Sequence, residues 1–172
     1  IALGYALYGK YKHRLSHIAT TGPLIQVHES LQVNPWVLFF LAFIVSWFPN
    51  LVYQTCNGPT TVTSSNMWKD YIMNEALCAG TGTLAQLSNM ISRGNELYAG
   101  DLSSFTQDIS LLILHAENDD YTSSKALKIF HDRVNVKNKE YMLIKGAHHL
   151  LFIESDEIFN MVGNKLVNFL SN

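Results

Sequence analysis

Cysteine is scarce: Cys56 and Cys78 are the two in 172 residues, too few for a fold stapled by disulfides. No Asn-x-Ser/Thr acceptor occurs, and Ile1 does not open a basic-then-apolar leader, so a reducing, cytoplasmic compartment is expected. An excess of either charge is also missing. A net charge of −2 supplies no electrostatic footprint for nucleic acid. No Cys-x-x-Cys or His-Glu-x-x-His spacing is present, and the adjacent His148 and His149 project apart on a short loop, so neither a metal nor a cofactor is expected. What is there is apolar: 48% hydrophobic against 15% charged residues, which excludes a disordered chain and leaves room for one ordinary domain.

The charges are unevenly placed. Lys10, Lys12 and Arg14 lie near the start, Glu29 stands alone between residues 15 and 68, and the rest fall from Lys69 onward. Trp36 to Phe48 is apolar but for Ser46, and as a helix it spans ~20 Å, too short for a bilayer core of ~30 Å. With no polar face, it reads as an apolar flap that covers a greasy pocket or dips into a membrane or lipid-droplet surface, with a core helix as the alternative. Trp36, Phe39, Phe40 and Phe43 on it are the candidate substrate contacts.

Elsewhere the pattern marks a helix over 1–9 that ends at Gly9, a strand from Leu15 to a turn at Gly22-Pro23, a loop over 57–66, and two helical stretches from Met67 to Tyr98 that part at Gly80-Thr-Gly82. That Gly-Thr-Gly lacks the Gly-Lys-Ser/Thr of a phosphate loop and reads as a helix junction. Cys56 reads as a free thiol in a loop and Cys78 as one in a helix. His13, His17, His28 and His131 read as surface or capping residues.

From Asp108 the rhythm becomes strand, helix, strand, helix: Ile109 to His115, a helix capped by Ser123 or Ser124, Glu140 to Ile144, and a last helix bearing Ile158, Val162 and Leu166. Such alternation predicts a parallel α/β sheet whose chemistry gathers at the carboxyl ends of its strands. Those ends carry His115 to Asp120 and Gly146 to His149. A carboxylate that accepts from one imidazole nitrogen fixes the tautomer and leaves the other as a general base, so an acid and a histidine on neighbouring strand ends are a candidate pair.

Leu112-Ile-Leu-His-Ala-Glu-Asn-Asp119, then Ser124-Lys125, then Ile144-Lys-Gly-Ala-His-His149 resemble the C-terminal half of an α/β-hydrolase, most closely the monoacylglycerol lipase group of the serine aminopeptidase S33 type. The resemblance implies a parallel sheet flanked by helices with an inserted, mostly helical cap: 1–24 as core helix and strand, 25–105 as cap, and 106–172 as the last strands and helices. It puts the family's acid on Asp119 and its base on His149. Two small departures are Ala116 where the family usually has Gly, and Ser123 where a second Asp is common. The large one is that no Gly-x-Ser-x-Gly occurs in the 172 residues, although the family's nucleophile sits on such an elbow. The resemblance makes Ile1-Ala-Leu-Gly-Tyr the start of the helix after that elbow, so the chain is expected to be a fragment, inactive alone and prone to associate through an unpaired sheet edge.

For the whole protein the resemblance implies a serine hydrolase of monoacylglycerols or similar lipid esters. An S33-type amino- or iminopeptidase is the rival within the superfamily. It would need cap carboxylates for a substrate ammonium, of which residues 30–68 contain none, although Asp70, Glu75 and Glu96 lie close behind. A non-catalytic truncated remnant is the rival of another class.

Overall fold

The apolar run that begins at Ile109 becomes the central strand of a sheet. A computed structural model of the chain describes residues 1–171 except 33, 55–60, 76, 77 and 79. Three parallel strands, β1 (His17–Thr21), β4 (Ser110–Ala116) and β5 (Asn138–Ile144), lie in the order β1-β4-β5. Between β1 and β4 in the chain come two short strands, β2 (Val52–Gln54) and β3 (Thr81–Thr83), which pair antiparallel in a separate ribbon. In the central sheet, Ala116 faces Ile144, so β4 and β5 finish level, while Thr21 faces Leu114 and β1 ends two residues earlier.

β4 is apolar from Leu111 to Leu114 because both of its faces are covered. Leu111 and Ile113 join a core with Leu3, Ala6 and Leu7 of α1 (Ala2–Tyr8), Leu97 of α4 (Leu84–Ala99), and Leu127 and Phe130 of α5 (Ser124–Arg133). Leu112, Leu114 and Ala116 point the other way, onto Val162 of α6 (Asp156–Leu170) and Leu151. A three-layer α/β/α arrangement results, and burying each Leu or Ile of β4 contributes ~1.5–3 kcal/mol. The edge strand β5 exposes Asn138, Lys139 and Glu140, the charged sequence expected where one face meets water.

The capping chemistry places the helices. Ser123 caps α5, its Oγ accepting from Ala126 N at 3.1 Å, and Ser155 caps α6. Thr83 and Gln86 form a reciprocal capping box at the start of α4. The apolar run over 36–48 forms α2 (Pro35–Trp47), started by Asn34, whose Oδ1 accepts from Trp36 N at 2.9 Å.

Between α3 (Asn66–Asn74) and α4 the Gly-Thr-Gly segment is more than a helix junction. Thr81 to Thr83 form β3, because the facing Val52–Gln54 offers a partner that local pattern cannot reveal. Cys78 is exposed and lies in this connection, outside α3 and α4. Cys56 and residues 57–60 of the expected 57–66 loop lie outside the described residues. No helix among the described residues is long and apolar enough to cross a membrane.

Candidate functional site

Two loops leave the sheet side by side. After β4 comes Glu117-Asn118-Asp119 and after β5 comes Gly146-Ala147-His148-His149. Glu117 N donates to Ile144 O at 3.0 Å, Asn118 N to Ala147 O at 2.9 Å, and Gly146 N to Glu117 Oε2 at 2.9 Å. Gly146 has φ +70°, the left-handed turn that suits glycine and lets the second loop double back. So knitted, the loops bring the two predicted residues together: His149 Nδ1 lies 2.8 Å from Asp119 Oδ2.

Asp119 is held on all sides. Its Oδ1 accepts from Tyr121 N at 2.8 Å and Thr122 N at 2.9 Å, and its Oδ2 accepts from Thr122 Oγ1 at 2.7 Å besides His149. Burial pushes its carboxyl upward, but the hydrogen bond and charge of His149, with the Thr122 donors, outweigh burial and hold the pKa down at about 2. An anion fixed against Nδ1 keeps the proton there, so Nε2 of a ring with 24% of its side chain exposed is the basic nitrogen.

The imidazole also has walls. The Tyr121 ring lies 5.2 Å from it, centre to centre, and the Tyr121 hydroxyl meets Thr61 Oγ1 at 2.6 Å. Gly22, at φ +50°, passes so close that a Cβ there would stand 3.3 Å from His149 Nδ1 and Cε1. Gly22→Ala is therefore expected to lower turnover by roughly 10–100-fold through a displaced ring, besides costing ~1–2 kcal/mol in the left-handed backbone. Steady-state kinetics of the full-length protein beside its thermal midpoint separate the two effects.

His115 completes the buried polar group. It is 1% exposed, its Nδ1 is 3.7 Å from Asp119 Oδ2, and neither ring nitrogen has a hydrogen-bond partner among the described residues. Burial pushes its pKa down against the opposing pull of Asp119, which favours the neutral ring. Among the described residues no group of three or more metal-binding side chains gathers. His28 behaves as expected of a capping residue, its Nδ1 accepting from Ser30 N at 3.3 Å.

The four cap aromatics lie on α2, which packs against α4. Trp36 is 74%, Phe39 67%, Phe40 63% and Phe43 62% exposed, so the described structure leaves them at the surface. Sequence reasoning missed Thr122, Tyr121 and Gly22. For Thr122 a signal existed: a Thr three residues after a loop Asp commonly donates both its N–H and its hydroxyl back to the carboxylate.

Known proteins resemble this chain in sequence and in fold. The family model described as serine aminopeptidase, S33, matches residues 1–156. A monoglyceride lipase of Saccharomyces cerevisiae is 26% identical over 176 aligned positions, covering 99% of this chain and 56% of that protein. A putative monoglyceride lipase of Schizosaccharomyces pombe is 25% identical, covering 90% and 40%. The crystal structure of a soluble variant of the S. cerevisiae monoglyceride lipase with a substrate analog superposes with TM-score 0.89 at 25% identity, covering 99% of this chain and 60% of that one. The chain thus spans about half the length of the curated relatives it matches. It belongs to the serine aminopeptidase S33 family of α/β-hydrolases, and within it is similar to the monoglyceride lipases.

Proposed function

We propose that the full-length protein containing this chain is a serine hydrolase that cleaves the ester of monoacylglycerols or similar lipids. The observation that carries this reading is the 2.8 Å contact of His149 Nδ1 with Asp119 Oδ2 at adjacent strand ends. In it, a serine hydroxyl attacks the ester carbonyl while His149 Nε2 takes its proton, then returns it to the leaving glycerol oxygen. Asp119 keeps the tautomer and stabilises the imidazolium without itself being protonated. Water repeats the sequence on the acyl-enzyme and releases the fatty acid. None of the 172 residues forms Gly-x-Ser-x-Gly, so this reading assigns the nucleophile to residues outside them. The exposed aromatic side of α2 would meet the lipid surface that holds the substrate and roof its acyl chain.

A peptidase reading has one observation in its favour. Asp70, Tyr71, Asn74 and Glu75 line an open cavity of about 260 Å³, where two carboxylates could meet a substrate ammonium. The assay that decides compares glycerol release from a monoacylglycerol with amine release from an aminoacyl naphthylamide. The full-length protein is expected to cleave the first far faster, and the 172 residues alone neither. Faster naphthylamide cleavage would move the assignment to the peptidases, and no cleavage of either would leave a non-catalytic protein. A nitrophenol burst from the 172-residue chain, abolished by His149→Ala, would place the nucleophile inside it.

A further inference from the structure

Glu154 is a carboxylate where a hydrophobic side chain would be cheaper. Its side chain is fully buried, and an unpaired buried charge is strongly destabilising. It is paired by donors from two parts of the chain. His148 N donates to Oε1 at 2.8 Å, Ser64 N sits 3.1 and 3.0 Å from Oε1 and Oε2, and Ser64 Oγ donates to Oε2. His148 Nδ1 lies 3.3 Å from Oε1 without hydrogen-bond alignment.

The stretch 61–64, between β2 and α3 in the expected cap, is stitched to the same place three more times. Leu150 N donates to Val62 O at 2.9 Å, Thr63 Oγ1 donates to Ile153 O at 2.5 Å, and Thr61 meets Tyr121, whose ring flanks His149. The peptide N–H groups on either side of His149 are thus both committed, one to Glu154 and one to a segment that Glu154 itself anchors. His149 stands between two fixed points, and neither is part of the sheet.

We propose that Glu154 is the positioning residue of His149, joining the 148–150 loop to the 61–64 segment so that the base holds its place against Asp119 only while that segment is docked. This rests on the reading of His149 as the general base. Because a misplacement of ~1 Å can cost about 100-fold in rate, a loosened joint should appear in turnover before it appears in substrate binding.

The test uses the full-length protein with Glu154→Gln, Ser64→Ala and the double variant. Measured are kcat and KM on a short soluble nitrophenyl ester, the thermal midpoint, and the low-field proton resonance of the His149 Nδ1–H shared with Asp119. Glu154→Gln is expected to lower kcat by roughly 10–100-fold with KM within about twofold, and to broaden or shift that resonance. Ser64→Ala should move both readouts the same way, and the double variant should add little to Glu154→Gln, since the groups share one network. A lowered midpoint with kcat and the resonance unchanged would overturn the proposal and leave Glu154 a purely structural residue. Should Glu154→Gln not fold, an unmoved resonance in Ser64→Ala would overturn it equally. Wild-type activity that survives His149→Ala would instead defeat the functional reading, a failure visible apart from the resonance.

Discussion

Asp119→Asn in the full-length protein is expected to lower kcat by roughly 10³–10⁴-fold while the fold persists. The geometry dictates why. Oδ1 accepts two backbone N–H groups, from Tyr121 and Thr122, so an asparagine must put its carbonyl oxygen there and its amide nitrogen at the Oδ2 position. That nitrogen would donate to both remaining partners, Thr122 Oγ1 and His149 Nδ1. The hydroxyl can rotate and accept, but the imidazole can accept only by moving its proton to Nε2, where a general base needs a lone pair. The wrong tautomer is then the stable one, and a change of this kind in a Ser-His-Asp triad costs about 10⁴-fold. With the carboxyl held at about 2, Asp119 stays ionised across the working range, so the wild-type protein should lose no activity near neutral pH through this group. The measurement is kcat on a soluble ester with circular dichroism as the check on folding, and a loss below about tenfold would remove Asp119 from the role proposed for it.

Much of this site is legible in the chain because its chemistry follows the strands. β4 is apolar at every position from Leu111 to Leu114, as a strand covered on both faces requires, and an acid and a histidine placed just beyond the ends of β4 and its neighbour β5 must come close when the two strands finish level. The resemblance of these strand ends to α/β-hydrolases identified the same two residues. The supporting groups are another matter. Glu154 meets Ser64 across 90 positions, and Gly22 meets His149 across a longer gap still; nothing local in Phe152-Ile-Glu154 or Thr21-Gly-Pro23 names the partner. Likewise Thr81-Gly-Thr83 has weak strand character by itself and is made a strand by pairing with Val52–Gln54. Local pattern writes the elements, whereas contacts between distant segments decide which polar residues the interior can accept.

The second large effect concerns α2. Replacing Trp36, Phe39, Phe40 and Phe43 together by Gln in the full-length protein is expected to weaken its partition onto phosphatidylcholine vesicles by about a thousand-fold. All four side chains are more than 60% exposed, on a helix whose remaining exposed residues include Val37, Leu41, Ile44 and Trp47. A single exposed aromatic is ordinary, but a helix apolar on every side has no reason to face water. Full burial of one such side chain is worth ~1.5–3 kcal/mol, and a helix lying flat at the headgroup boundary buries each only in part, near 1 kcal/mol. Four together come to ~4 kcal/mol, and every 1.4 kcal/mol is tenfold in the partition constant. Gln keeps the helix, being a better former than the Trp and Phe removed, so the loss reads the surface rather than the fold. Sedimentation with vesicles measures partition directly and apart from turnover. If the variant pellets as the wild type does, α2 does not contact the membrane, and roofing an acyl chain remains as the role proposed for it; if it stays in the supernatant, the aromatic face is what carries the Asp119–His149 pair to a lipid surface, where the proposed substrate would lie.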